Sequence, residues 1–227
     1  MSLFHSDAFL AFRSRDFSLL SVNQLCLILA IMIQEVVIAY SVYQLTQNPL
    51  SLGMIALIEL LPFICLSLIS GDWADRYNRQ KIVQWSFSCS TLIPLLFIVL
   101  FSQYQQQHIQ QNTLLCGIYS LIFCLGILRG IYSPSFNSLR PFLTPESAYS
   151  NAATWTALIW QIGGILAPLC AGLLLGQLGL EKTLFIVFFL CCVGSICLFG
   201  LSPRDFPSPH KQHLSKSLKE AYLFIFK

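Results

Sequence analysis

The sequence predicts an all-α integral membrane protein with six transmembrane helices, and three observations carry that expectation. The chain is 56% hydrophobic and 10% charged, with a mean hydropathy of +0.68 over 227 residues, whereas soluble domains carry about 25% charged residues. Its apolar residues gather in six runs, each long enough for the roughly 20 helical residues that cross a hydrocarbon core. Its basic residues fall almost entirely between alternate pairs of those runs, as they do on the cytoplasmic side of membrane proteins.

The first run, Leu19–Tyr43, follows a short N-terminal segment (1–18) that holds Arg13 and Arg15. It is too long for a signal-peptide apolar region and no A-x-A cleavage site follows it, so it reads as an uncleaved helix. The second run, Leu50–Ser70, ends at Gly71–Lys81, where five charged side chains (Asp72, Asp75, Arg76, Arg79 and Lys81) occupy eleven residues. Wedged between apolar runs, this segment is expected to be a tight cytoplasmic loop. The third run is Ile82–Phe101, and the Gln-rich, nearly uncharged segment Gln103–Asn112 leads from it to the fourth, Thr113–Tyr132. Ala152–Leu175 and Thr183–Leu201 complete the set. The runs are too long and too little alternating for the strands of an outer-membrane barrel, which need about 9–11 residues.

With the N-terminus inside, 11 of the 13 Lys and Arg residues lie on the cytoplasmic side. Arg129 falls within the fourth span and Lys182 faces outside next to Glu181. Both termini are therefore expected in the cytoplasm. The bundle proper is taken as 19–202. In the remaining segment, 203–227, Leu214, Leu218, Ala221, Tyr222 and Ile225 recur on one helical face, which suggests an amphipathic helix at the inner membrane surface.

Enzyme classes find little footing. All nine cysteines lie in or at the ends of apolar runs, without C-x-x-C spacing or a nearby histidine, so they read as small packing residues rather than metal ligands. His5, His108, His210 and His213 lie outside the spans, and no H-E-x-x-H, Gly-x-Ser-Gly or P-loop pattern is present. No catalytic residue or metal ligand is assigned, and no nucleic-acid partner is expected.

Two motifs carry a family resemblance. Gly71-x-x-x-Asp75-Arg76-x-x-Arg79-x-Lys81 resembles the loop between the second and third helices of the major facilitator superfamily. Gly163-Gly164-Ile165-Leu166-Ala167-Pro168-Leu169-Cys170-Ala171-Gly172 resembles that family's fifth-helix signature, which is associated with antiporters. The resemblance implies a cytoplasmic gate in which Asp75 caps or bridges neighbouring helix ends and Arg76 and Arg79 anchor the network. Asn78 stands where many members have Gly, and is expected to keep the turn because Asn tolerates the left-handed conformation. In the fifth span, Gly163, Ala167 and Ala171 form one small-residue stripe and Gly164, Pro168, Gly172 and Gly176 another, both suited to close helix approach. A generic positive-inside loop and ordinary small-residue packing are the plainer readings of the two motifs.

Within the superfamily, Phe12-Arg13-x-x-x-Phe17-x-x-Leu20 and Asp75-Arg76-Tyr77 look most like the enterobactin-exporter and transmembrane secretion effector branch. The family implies twelve or more helices in two six-helix halves. The chain is then expected to be the N-terminal half of a secondary transporter, a fragment or truncated frame that lacks its C-terminal six-helix half. The alternative is a half-transporter, or a six-helix subunit, that pairs with a second copy or another chain.

Three ionisable residues inside spans are the candidates for chemistry: Glu35 in the first, Glu59 in the second and Arg129 in the fourth. Charges at that depth cost about 2.5–3.5 kcal/mol each on insertion scales, so they tend to face a cavity or one another. Desolvation favours the protonated form of a carboxylate and a neighbouring arginine opposes it, which is what a proton carrier requires. A static Glu–Arg pair that orients the helices is the competing reading. Gln34, Asn23 and Gln24 add hydrogen-bonding groups to the first span, as on a helix that faces a cavity. Tyr149 and Trp155 suit the membrane interface, and Trp160 could stack on a substrate. The expectation is proton-coupled efflux of a small molecule such as a drug or siderophore across the bacterial inner membrane, with lipid and substrate as partners and the proton gradient, not a cofactor, as the energy source.

Overall fold

The computed structural model describes residues 9–202, apart from the side chains at 68, 69 and 71–76. After a short 3-10 turn at Ala11–Arg13, the described residues form seven α-helices: α1 (Arg15–Thr46), α2 (Leu50–Arg76), α3 (Arg79–Ser90), α4 (Leu92–Gln105), α5 (Gln111–Leu143), α6 (Tyr149–Leu178) and α7 (Leu180–Phe199). A second 3-10 turn, Glu146–Ala148, precedes α6. α3 and α4 run on as one span broken at Thr91, so among the described residues six helical units are long and apolar enough to cross a membrane. The break has a local cause. Pro94 lacks an N–H and its ring crowds the carbonyl four residues back, at Ser90. There, the hydroxyls of Ser90 and Thr91 turn back onto the carbonyls of Phe87 and Ser88, each at 2.6 Å.

The helices reach beyond the apolar runs, and two differences matter. α2 continues through most of the charged segment to Arg76, leaving only Tyr77 and Asn78 between it and α3. The expected eleven-residue loop is thus a helix end and a two-residue joint. Asn78 is not left-handed: at φ −65°, ψ 106° it is the N-cap of α3, its side-chain oxygen accepting from the Lys81 N–H at 3.2 Å. Non-glycine residues with positive φ stand instead at Gln47 (φ 50°), the C-cap of α1, and at Gln107 (φ 59°), just past α4. The fourth span does not stop at Tyr132 either, because α5 passes through Pro134 and Pro141 to Leu143. Pro134 deprives the Gly130 carbonyl of its helical donor, and the Ser70 hydroxyl of α2 donates to that carbonyl at 2.7 Å.

α2 lies mainly along α5, while α1 runs between α6 and α7. The main core surrounds the middle and far half of α1 and joins Ile33, Val37 and Val42 to Phe97, Ile118, Leu184 and Val187. A second core gathers Leu20, Val83, Phe87, Phe136, Leu139 and Leu198 at the other end. That end also collects the start of α1, the α2–α3 joint, the α5–α6 connection and the end of α7. Polar clasps tie it together: Ser14 Oγ donates to the Leu143 carbonyl, the Ala11 N–H to Asn151 Oδ1, and the Ser202 N–H and hydroxyl to Asp16 Oδ1. It is the end that the basic-residue pattern assigns to the cytoplasm. The amphipathic segment expected within 203–227 lies outside the described residues.

Candidate functional site

Glycine positions the central charges. On α5, Gly126 and Gly130 flank Arg129 and face α2 at its closest approach. A Cβ on Gly126 would run into the Glu59 carbonyl and come within 2.7 Å of the Pro62 ring; one on Gly130 would lie 3.0 Å from Leu66 Cβ. With no side chain at either glycine, the α2 backbone settles onto α5. The Glu59 side chain is thereby brought onto Arg129. From α1, Glu35 reaches the same guanidinium: Arg129 Nη1 donates to Glu35 Oε1 at 2.8 Å and also to Glu59 Oε1. One nitrogen is therefore shared by carboxylates from two helices. Glu59 is the more enclosed of the two, its side chain 16% exposed against 46% for Glu35.

The three charges stand on the wall of an open cavity of about 610 Å³ lined from α1, α2, α3, α5, α6 and α7. Its surface is largely apolar, with Leu27, Phe63, Phe87 and Trp160 among the lining residues, and Gln24, Ser133, Asn137 and Arg140 supply polar groups. Gln34, itself buried, lines a small hollow beside Glu35, Glu59 and Arg129. The four span residues expected at the site are thus neighbours in space. Asn23 departs from expectation: instead of facing the cavity it is fully buried, donating to the Gly194 carbonyl at 3.1 Å and accepting from the Tyr132 hydroxyl at 2.9 Å. Trp160 does line the cavity, whereas Trp155 packs on Phe9 and Phe12.

The helix-junction motif is separate from this site. Arg79 braces α3 against the end of α5, donating to the Ser138 carbonyl at 3.5 Å and lying 5.3 Å from the centre of the Phe142 ring. Lys81 is exposed and contributes its capped N–H. Gly71, Asp75 and Arg76 fall in the last turns of α2, and the contacts expected of their side chains lie outside the described residues. The two stripes of α6 behave differently from each other. Gly163, Ala167 and Ala171 are buried, with Gly163 close against Ile28 of α1. Pro168 and Gly172 are exposed, and a Cβ on Gly164, Gly172 or Gly176 would meet nothing within 4 Å.

In the sequence, Arg140 reads only as one more positive charge near the cytoplasm. Its place in the cavity could have been read from spacing, since 129, 132, 133, 136, 137 and 140 follow the 3–4 rhythm of one helical face. Ending the span at Tyr132 hid that continuity. The Gly126-x-x-x-Gly130 pair is a second signal of this kind, a close-approach pattern present in the sequence itself.

Six apolar helices around an open cavity, with paired charges on its wall, define an all-helical integral membrane bundle. A sequence profile of the Major Facilitator Superfamily matches residues 20–227, and the chain belongs to that superfamily, a family of transporters rather than enzymes. Among its relatives, the uncharacterized MFS-type transporter YfiS of Bacillus subtilis is 25% identical over 172 residues, 74% of this chain and 37% of that protein. The staphyloferrin A transporter of Staphylococcus aureus is 26% identical over 56% of this chain and 31% of its own length. The multi-drug resistance efflux pump PmrA of Streptococcus pneumoniae is 28% identical over 59% and 30%. The chain spans about a third of the length of the curated relatives it matches.

Proposed function

We propose that the chain supplies one six-helix bundle of a secondary transporter that exports a small amphipathic molecule from a bacterial cell in exchange for protons. The observation that carries this reading is the single Arg129 nitrogen held by both Glu35 and Glu59 at the cavity wall. A guanidinium shared by carboxylates on two other helices is a charged contact that one packing makes and another breaks, and the exchanged protons are carried by those carboxylates. Exchange requires that ligand and protons are not held in the cavity together, and a contact joining α1, α2 and α5 at its wall is one that occupation of the cavity can open or close. In alternating access, a second bundle closes the open side of the cavity and the two rock about a midplane site. That bundle, or a second copy of this one, is the expected partner; the proton gradient is the energy source, and both termini face the cytoplasm. The efflux-pump name of one relative supports export, as does the resemblance of the α6 motif to antiporters, and the staphyloferrin A transporter supports a small-molecule ligand.

The test is ligand-linked proton exchange by the chain in lipid nanodiscs. Dansylamide, dansylglycine and ethidium are added in weak buffer containing a pH-sensitive dye, between pH 5.5 and 8. Binding of at least one probe is expected to change the number of bound protons, and Glu59→Gln to abolish the change. No binding, or binding without proton exchange in the unaltered chain, sinks the reading.

A further inference from the structure

The cavity holds a second guanidinium that proton exchange leaves without a task. Arg140 lies eleven residues beyond Arg129 on the same face of α5, about 16 Å further along the axis. Arg129 is matched by two carboxylates; Arg140 is matched by none among the described residues. Its Nη2 donates to Gln24 Oε1 at 3.1 Å, and its guanidinium carbon sits 5.0 Å from the centre of the Phe136 ring. That ring is in turn stacked on Tyr132, centres 5.0 Å apart. The Gln24 amide is fixed from its other side, because its Nε2 donates to the Thr156 carbonyl at 3.2 Å and so leaves its oxygen facing Arg140.

Arg140 is thus held in position by a neutral amide and a ring, at the wall of a cavity, with no countercharge among the described residues. One of its five N–H donors is engaged by Gln24. A half-buried cation is favourable when something of opposite charge meets it, and a guanidinium fork matches the two oxygens of a carboxylate. Asn137, one turn before it on the cavity face, adds amide donors beside the same space. We infer that Arg140 and Asn137, with Gln24 holding the guanidinium in position, form the anion-recognising end of the cavity, and that its ligand is an amphiphile carrying a carboxylate on an apolar body. The body lies against Leu27, Phe63, Phe87 and Trp160. This rests on the cavity being the ligand site proposed above, but adds a charge preference that proton exchange does not require.

The matched probes dansylglycine, a carboxylate, and dansylamide, its neutral counterpart, separate the two ideas. Binding to the nanodisc-embedded chain is read at fixed pH by energy transfer from tryptophan, with empty nanodiscs as the blank. The unaltered chain is expected to bind dansylglycine at least tenfold more tightly than dansylamide. Arg140→Gln should remove that preference while changing dansylamide affinity less than twofold, and Arg140→Lys should keep part of it. If Arg140→Gln does not yield folded protein, the reduced preference of Arg140→Lys, with dansylamide binding retained, carries the test. Equal binding of the two probes by the unaltered chain, binding of neither, or an equal loss for both probes in the variants overturns the inference. Glu59→Gln leaves Arg140 in place and removes a negative charge, so it should not reduce the anion preference, and a failure of proton exchange is distinguishable from a failure of anion recognition.

Discussion

The α2–α5 and α1–α6 contacts are built with the same device and put it to different use. In each, a small-residue stripe on one helix lets the partner come close: Gly126 and Gly130 on α5, Gly163 with Ala167 and Ala171 on α6. At α1–α6 the approach is between a glycine and the Ile28 side chain, inside apolar packing. At α2–α5 it is between a glycine and the partner's backbone, and it carries Glu59 onto Arg129. Close packing alone is therefore no mark of function. What separates the contacts is whether the approach fixes a charge at the cavity.

The largest effect should come from filling the functional contact. Gly126→Val places side-chain atoms against the Glu59 carbonyl and the Pro62 ring. Neither can rotate away, so α2 must shift. Overpacking of this kind costs about 1–3 kcal/mol or more. Here it also parts Glu59 from Arg129. Thermal unfolding in detergent should show a marked loss of stability and the nanodisc assay a loss of ligand-linked proton exchange; retention of both would mean that the α2–α5 approach does not set the charge cluster.

Next comes removal of the shared cation. Arg129→Gln leaves Glu35 and Glu59 facing each other and gives up charged hydrogen bonds worth about 1.5–3 kcal/mol each. Adding Glu59→Gln removes one of the opposed carboxylates and should recover part of the stability. A double-mutant cycle on the unfolding midpoints measures the coupling. Strict additivity would show that the ion pair contributes nothing to the bundle.

Filling the structural contact should have a smaller and repairable effect. A Cβ on Gly163 would lie 2.6 Å from Ile28 Cγ2, the branch of a side chain that a second substitution can shorten. Gly163→Leu is expected to destabilise by about 1–3 kcal/mol, and Ile28→Ala in the same chain to restore much of that. Proton exchange should persist in the double variant. Its loss there would erase the distinction between the two contacts.

The sequence made the six apolar helices legible because twenty-residue apolar runs leave few alternatives in a chain with 10% charge. It also made Glu35, Glu59 and Arg129 legible, since charge inside such a run is rarely idle. It could not say that all three meet, because that depends on how far α2 sinks onto α5, a matter of crossing geometry. The apolar run that ends at Tyr132 understates the length of α5. The helix goes on through Pro134 because the Ser70 hydroxyl supplies the donor that Pro134 withholds from Gly130, and only the fold brings Ser70 there. The charged segment misled in the opposite sense: its polarity suggested a loop, whereas α2 carries it to Arg76 and Asn78 caps the next helix.

The smallest effect is expected on the other face of α6, where it tests the comparison from outside. Gly164 and Gly172 have nothing within 4 Å of where a Cβ would stand. In the chain alone, Gly172→Ala removes no contact and relieves a helical glycine, a gain of about 0.5–1 kcal/mol. Thermal unfolding should therefore show an unchanged or slightly higher midpoint. A clear drop would mean that the stripe already supports the bundle, contrary to its open surroundings. The same substitution measured with a second six-helix bundle present asks a different question. A methyl group that is harmless on an open face becomes an obstruction if another helix packs there, so weaker association at unchanged bundle stability would place the stripe at an interface between bundles. The α6 helix would then use one small-residue stripe to hold α1 and keep the other for a partner.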